Sequence, residues 1–284
     1  MKYLLFLVIL LTSQVNGQVG LNFNKRFVES EDKWVVFRPD KDSIYSYGFI
    51  YIDAQAGLTL NYEGTFKILP SGDYLGKKLD SNNVKIRLQA NNVLVALLPE
   101  SKFNELQISE TPDWLKFYKT DTNSIERLYR WGFLYNGYNE CQKALSYLEK
   151  AATINPKHKG LAVELAFSYN CLKQYDKAET VLEEELKMNS ENAYVNKEFI
   201  YSLSKNNKID KAVKQFYSSI QTLKDKQYNA ENCYNILQYY YYQDDKESFN
   251  TFYKELQKHP NENKLLTQYS DNMKKDINSR KKTK

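Results

Sequence analysis

The chain has 284 residues, long enough for about two domains. Its 42% hydrophobic and 26% charged content is that of an ordinary water-facing globular protein and argues against a disordered or fibrous chain. A formal net charge of +5 is mild and marks no nucleic-acid partner.

Lys2, the apolar run from Leu4 to Leu11, and the small residues Val15 and Gly17 give residues 1–17 the three parts of a secretory signal peptide, with cleavage expected before Gln18. As a helix that run spans roughly 12 Å, well short of the roughly 30 Å of a bilayer core. Export to the periplasm or beyond, in a bacterial envelope, is therefore expected.

From residue 18 to 112 the pattern is that of strands. Trp34 to Phe37, Ile44 to Ile52, Leu58 to Leu69, Val84 to Leu88 and Val93 to Leu97 are short runs rich in β-branched and aromatic residues, punctuated by Pro39-Asp40, Ala56-Gly57, Pro70-Ser71-Gly72 and Asn91-Asn92. They predict a small antiparallel β domain of five to seven strands. Leu58, Leu60, Tyr62, Phe66 and Ile68 alternate with Thr59, Asn61, Glu63, Thr65 and Lys67, as in a strand with one wet face.

Tyr45, Tyr47, Phe49 and Tyr51 share one strand face. Exposed, they would form a platform for a sugar or peptide; covered, they are core. A four-residue loop after Asp53 puts the stripe with Leu58 and Leu60, whereas three or five residues put it with Thr59 and Asn61. One short helix is expected from Pro99 to Leu106. A junction follows at Glu110 to Asp113, with Trp114 to Tyr118 expected to pack the β domain against the first helix beyond it.

The two histidines, His158 and His259, fall near helix ends, where capping or exposure explains them. With no His and no Cys in the β domain, the usual zinc sets and the Ser-His and Cys-His nucleophile pairs are excluded there. Asp53, Glu63 and Asp73 are the remaining carboxylates for a glycosidase-like pair, but no spacing singles out two of them. No catalytic residue, metal or cofactor is assigned, and the chain is not expected to be an enzyme.

Beyond residue 113 the period becomes helical. In the stretch Trp131 to Pro156, a large residue, a small one and a tyrosine (Trp131, Gly132, Tyr135) precede Ala144, Leu148, Ala151 and Pro156. The small residue of the second helix recurs at Ala178, Ala212 and Ser248, at spacings of 34, 34 and 36 (178−144, 212−178, 248−212). Further units read Leu165, Ala166, Tyr169, Ala178, Leu182; Phe199, Ile200, Leu203, Ala212, Phe216; and Ile236, Tyr239, Ser248, Phe252, Pro260. This resembles the tetratricopeptide repeat (TPR), with two residues inserted before a divergent fourth unit. The expected fold class is α+β in separate domains. An antiparallel β domain is followed over 113–270 by an all-α TPR-like solenoid of four helix pairs, and then by a basic tail at 271–284.

The resemblance implies a scaffold that binds a protein or peptide segment along the inner face of its first helices. By register the groove positions are Tyr129, Phe133 and Asn136, then Phe167 and Asn170, then Lys197 and Tyr201, then Leu237 and Tyr240. Aromatic anchors are expected to grip the partner, with Asn136 and Asn170 bonding its backbone. The alternative makes the chain a glycan or cell-wall binder acting through Tyr45 to Tyr51, with the solenoid as docking arm. Lys274-Lys275 and Arg280 to Lys284 are expected to be a solubilising cap, with contact to an anionic membrane as the other reading. Of the three cysteines, Cys141 and Cys171 lie at neighbouring helix ends; two buried thiols are favoured there, with a disulfide left open.

Overall fold

The computed structural model describes residues 20–79, 84–259 and 263–280. The segment expected as a signal peptide, Pro260 and Lys281 to Lys284 lie outside them. The chain divides between Thr120 and Asp121 into two compact units.

In the first unit the strands are β1 (Lys33–Val36), β2 (Tyr45–Asp53), β3 (Gly57–Ile68), β4 (Tyr74–Lys78), β5 (Val84–Arg87) and β6 (Ala96–Leu97). All pairings are antiparallel, in the order β4-β3-β2-β1-β6, with β5 also on β3. β4 pairs with Gly64 to Ile68 and β5 with Thr59 to Tyr62, so the two run end to end along one edge of β3. Sequence reading missed β4, whose Gly76 and two lysines hide its strand character. Pro99 to Leu106 is not a helix; a 3-10 turn at Glu100–Lys102 suffices, tied down by Lys102 Nζ bonding Glu105 Oε1 at 2.7 Å and the Gly72 carbonyl at 2.8 Å.

Asp53 pairs with Gly57, leaving a three-residue loop, so Tyr51 stands opposite Thr59 and Phe49 opposite Asn61. The register then slips between Tyr47 and Gly48, and Tyr47 faces Gly64 while Tyr45 faces Phe66. This bulge turns Phe66 and Ile68 to the face opposite Leu58 and Leu60, which corrects the expectation of one apolar and one wet face along β3. Both faces are buried here: Leu58, Leu60, Thr59 and Asn61 are all inside. A Cβ on Gly48 would strike the Asn61 carbonyl, so only glycine fits where the strands close up at the bulge.

The aromatic stripe is core. Tyr47, Phe49 and Tyr51 are fully buried, and Tyr45 is partly so. Trp34 packs edge-on to Phe49 at 5.2 Å, Trp114 covers Phe49 and Tyr51 at 5.8 and 5.0 Å, and Tyr118 covers Tyr51 at 4.7 Å. Trp114 and Tyr118 sit on a 3-10 helix, Asp113–Tyr118, which therefore belongs to the β unit and not to a solenoid beginning at 113. Burial pushes the Tyr47 and Tyr51 hydroxyls far above their ordinary range, as expected for phenols in an apolar layer.

The second unit is nine helices among the described residues: α1 (Ile125–Gly137), α2 (Cys141–Ile154), α3 (Leu161–Cys171), α4 (Tyr175–Met188), α5 (Ala193–Lys205), α6 (Ile209–Thr222), α7 (Asn229–Tyr242), α8 (Lys246–Leu256) and α9 (Lys264–Ser279). α1 to α8 form four TPR-like antiparallel pairs. Close approach within the first pair depends on Gly132, since a Cβ there would be driven into Leu148. First helices pack on first helices, α1 on α3, α3 on α5, α5 on α7 and α7 on α9, so they line the inner side of the stack.

Each pair is joined by the same turn. The amides of Glu140, Gln174, Lys208 and Asp245 donate back to the carbonyls of Tyr135, Tyr169, Leu203 and Tyr240 at 2.8 to 3.0 Å, across Asn139, Lys173, Asn207 and Asp244 in the left-handed region. These four turn residues are spaced 34, 34 and 37 (173−139, 207−173, 244−207). The last unit is thus offset by three residues, not two. Phe249, fully buried, takes the slot of Ala144, Ala178 and Ala212 in place of Ser248.

α9 caps the stack with Leu266, Ser270 and Ile277 buried and Met273 packed against the core. Residues 271 to 279 are therefore helix and not tail. Lys274 lies 4.0 Å over the Tyr253 ring, and Arg280 pairs with Asp276 at 2.6 Å and Asp244 at 3.1 Å, so two of the tail's cations already have partners.

Candidate binding groove

Two rows of side chains run along the inner face, and they behave differently. The first is polar and buried. Asn136 Nδ2 donates to the Glu164 carboxylate at 2.8 Å and to its carbonyl at 2.9 Å, while Ser168 Oγ donates to Asn136 Oδ1 at 2.7 Å. One unit on, Asn170 Nδ2 donates to the Glu198 carboxylate at 3.1 Å and Ser202 Oγ to Asn170 Oδ1 at 2.8 Å. All six residues are almost wholly inside. Each asparagine therefore ties its helix to the next first helix, and neither is left to bond a partner's backbone, which corrects that expectation.

Lys197 completes this row. Its ammonium lies 2.6 Å from Glu198 and 3.6 Å from Glu231, over the rings of Tyr194 and Tyr228 at 4.8 and 5.5 Å. Burial opposes its charge most strongly of any single influence, but the Glu198 carboxylate, with help from Glu231, holds its pKa above the ordinary value. Lys197 is thus an internal counter-ion more than a free hand for an anion.

Among the described residues Glu164 has no such cation within salt-bridge reach, and burial, together with the nearby Glu198, raises its pKa above the ordinary 4.5 despite the Asn136 bond. The folded state then holds the Glu164 proton more tightly than the unfolded state, so the ionised carboxylate weakens the fold as pH rises above the ordinary value. Glu164→Gln keeps an acceptor for Asn136 and should leave the melting temperature at about pH 7 equal or higher. The gap should close toward about pH 4. Melts of the two proteins across that range check this; a Gln variant less stable at neutral pH would show that the ladder needs the charge.

The second row is aromatic and opens to solvent. Phe133, Phe167 and Tyr201 occupy one slot at 34-residue spacing; Phe133 is 45% exposed, and the other two are half-buried. Phe167 and Tyr201, with Asn139, Asn170, Lys197, Glu198 and Glu231, line a cavity of about 300 Å³. Tyr129 is half-buried and holds His158 at 5.0 Å and Phe133 at 6.4 Å, more brace than contact surface. His259, by contrast, stands edge-on to Phe216 at 5.9 Å and 3.3 Å from Glu255.

Unit four is where register misled the sequence reading. With a 37-residue offset, Leu237 is the counterpart of Ile200 and is fully buried, and Tyr240 is the counterpart of Leu203 and packs on Phe252 at 5.6 Å. Neither lines the groove. By the same offset Tyr234 and Gln238 are the counterparts of Lys197 and Tyr201, Gln238 accepting a bond from Lys205 Nζ at 3.1 Å. The spacing of the turn residues Asn139, Asn207 and Asp244 was the signal that would have found them.

Cys141 and Cys171 form a disulfide, with Cα atoms 6.2 Å apart, where two buried thiols had been favoured. The bond is possible because α2 begins where α3 ends, and Cys171 sits on the wall of the 300 Å³ cavity. Cys233 is free and buried, its thiol pushed well up by burial.

Among the described residues no cluster of three His, Cys, Asp or Glu could hold a metal, and no helix is long and apolar enough to cross a membrane. No protein-family model matches the sequence, and no curated protein matches it. Solved structures similar to part of the chain include MamA MSR-1, at 19% identity over 55% of this chain and 83% of that one, with a TM-score of 0.43. MamA AMB-1 is similar at 17% identity over 51% and 84%, with a TM-score of 0.42. A tetratricopeptide repeat protein from Parabacteroides merdae is similar at 13% identity over 61% and 62%, with a TM-score of 0.43.

Proposed function

We propose that this protein is an exported, non-enzymatic scaffold that holds a segment of another protein along the inner face of its solenoid. The observation that carries this reading is the aromatic row of exposed Phe133 and half-buried Phe167 and Tyr201, which the polar ladder beneath it does not need for its own bonds. Rigid aromatic side chains beside a preformed cavity suit a partner anchored by apolar contacts. The glycan-binding alternative loses its support, because the stripe at Tyr47 to Tyr51 is core.

Single replacement of Phe133, Phe167 or Tyr201 by Ala should cost roughly 1 to 4 kcal/mol of binding and leave folding nearly intact. The measurement is capture of the partner crosslinked in the native envelope, alongside thermal melts. Loss of stability with unchanged capture would show that the row is packing.

Export is supported by the tripartite segment at residues 1–17 and by the Cys141–Cys171 disulfide, since such bonds persist in oxidising compartments. A periplasmic or secreted location follows on this reading. N-terminal sequencing should find a chain beginning at or near Gln18; an intact Met1 in the soluble cytoplasmic fraction would overturn it.

A further inference from the structure

The polar ladder stops after two steps. By the 37-residue offset the third step would join Ser204 to Asn235, where earlier units join an asparagine to a glutamate. Ser204 instead bonds the Ile200 carbonyl of its own helix at 2.8 Å. Asn235 is 7% exposed, and among the described residues its Nδ2 has no acceptor. A buried amide donor normally has a partner.

Asn235 lines a cavity of about 850 Å³ between α7 and α9, walled by Tyr228, Tyr234, Leu265, Leu266 and Tyr269. The terminal torsion of Asn235 is soft, so its amide can turn while the residue stays on the cavity wall. Among the described residues, one ionised side chain lines it, Glu231, which also borders the smaller cavity beside Phe167 and Tyr201. Glu231 is half-exposed, and Lys197 sits a full ångström closer to Glu198 than to it (3.6 against 2.6 Å), so its carboxylate stays electronegative.

We propose that this cavity receives an extended peptide segment in which a basic side chain lies close to a large apolar one. A backbone carbonyl of the segment accepts from Asn235 Nδ2, giving that buried donor its partner. The apolar side chain enters between Leu265 and Tyr269, and the lysine or arginine meets Glu231 at the wall shared with the smaller cavity. An acidic segment is disfavoured, because the one ionised side chain on the cavity wall among the described residues is the Glu231 carboxylate. The proposal rests on the inner face being the binding surface and names what that surface selects.

The test passes a pool of blocked octapeptides, with four central positions randomised between glycines, over the immobilised full chain and sequences the retained fraction. Peptides pairing Lys or Arg with Leu, Ile, Phe or Met should be enriched roughly fivefold. Asn235→Leu, similar in shape but without polar ends, should keep or raise the melting temperature while cutting retention roughly tenfold. Glu231→Gln should erase the basic preference alone. Leu265→Ala with Tyr269→Ala, both surface-exposed positions that leave folding intact, should lower retention as Asn235→Leu does. A retained pool without bias, an acidic bias, or a bias that survives Asn235→Leu overturns the proposal. Capture of the native partner that depends on Phe167 and Tyr201 but ignores Asn235 and Glu231 also overturns it, while leaving the scaffold reading intact. Capture indifferent to Phe167 and Tyr201 removes that reading instead.

Discussion

Breaking the Cys141–Cys171 disulfide, by Cys141→Ser with Cys171→Ser or by reductant, should lower stability by about 3 to 4 kcal/mol. That is the chain-entropy figure for a link spanning 30 residues. In a unit of this size it corresponds to a melting temperature lower by roughly 6 to 15 °C. Untreated protein should show no thiol reactive under native conditions, because Cys233 is buried and its thiolate is disfavoured. A melt that reductant leaves unmoved would show that the bond contributes nothing, and with it would go the structural support for an oxidising compartment.

Asn170→Ala should be the other severe change, at about 2 to 4 kcal/mol, because it strips the buried Glu198 of its amide donor and leaves the Ser202 hydroxyl without its acceptor on α3. Ser204→Ala is the built-in control. It stands in the same slot one unit on but bonds only its own helix, so it should cost within about 1 kcal/mol. A double-mutant cycle between Asn170 and Glu198 should give a coupling of about 1 kcal/mol or more, and additivity of the two would deny the ladder its role.

The helical half was legible because Ala144, Ala178 and Ala212 are fully buried in one slot of the helix pair, and such slots repeat in the sequence as they do in space. The same logic failed at unit four. Phe249 fills a small-residue slot, so a reading keyed to size settled on Ser248, one residue early, and carried Leu237 and Tyr240 into a groove they do not line. Asn136 and Asn170 were placed on the correct helices but given the wrong partners. A single slot cannot tell whether an amide is free or consumed; the repeated 28-residue interval from each asparagine to a glutamate, and the 32-residue interval to a serine, could have.

In the β unit the strands were visible and their faces were not. Leu58 to Ile68 keep one parity through a bulge that reverses it, and only Gly48 and Gly64 hint at the slip. The cover over Tyr51 came from Trp114 and Tyr118, more than sixty residues downstream in the chain, which no local pattern announces.

A buried asparagine ladder joins unit one to two and unit two to three but leaves the step from three to four to the Lys205–Gln238 bond and the longer Lys197–Glu231 pair, which makes the solenoid a spring of uneven stiffness. In a stack where each unit leans only on its neighbours, cooperativity is set link by link. Helices α1 to α6 should exchange their amide hydrogens as one slow block, while α7 to α9 exchange faster and peel away first under load. A segment bonded to Asn235 and seated between α7 and α9 would slow exchange in those helices, so occupancy at that end of the solenoid would be read as rigidity in its last units.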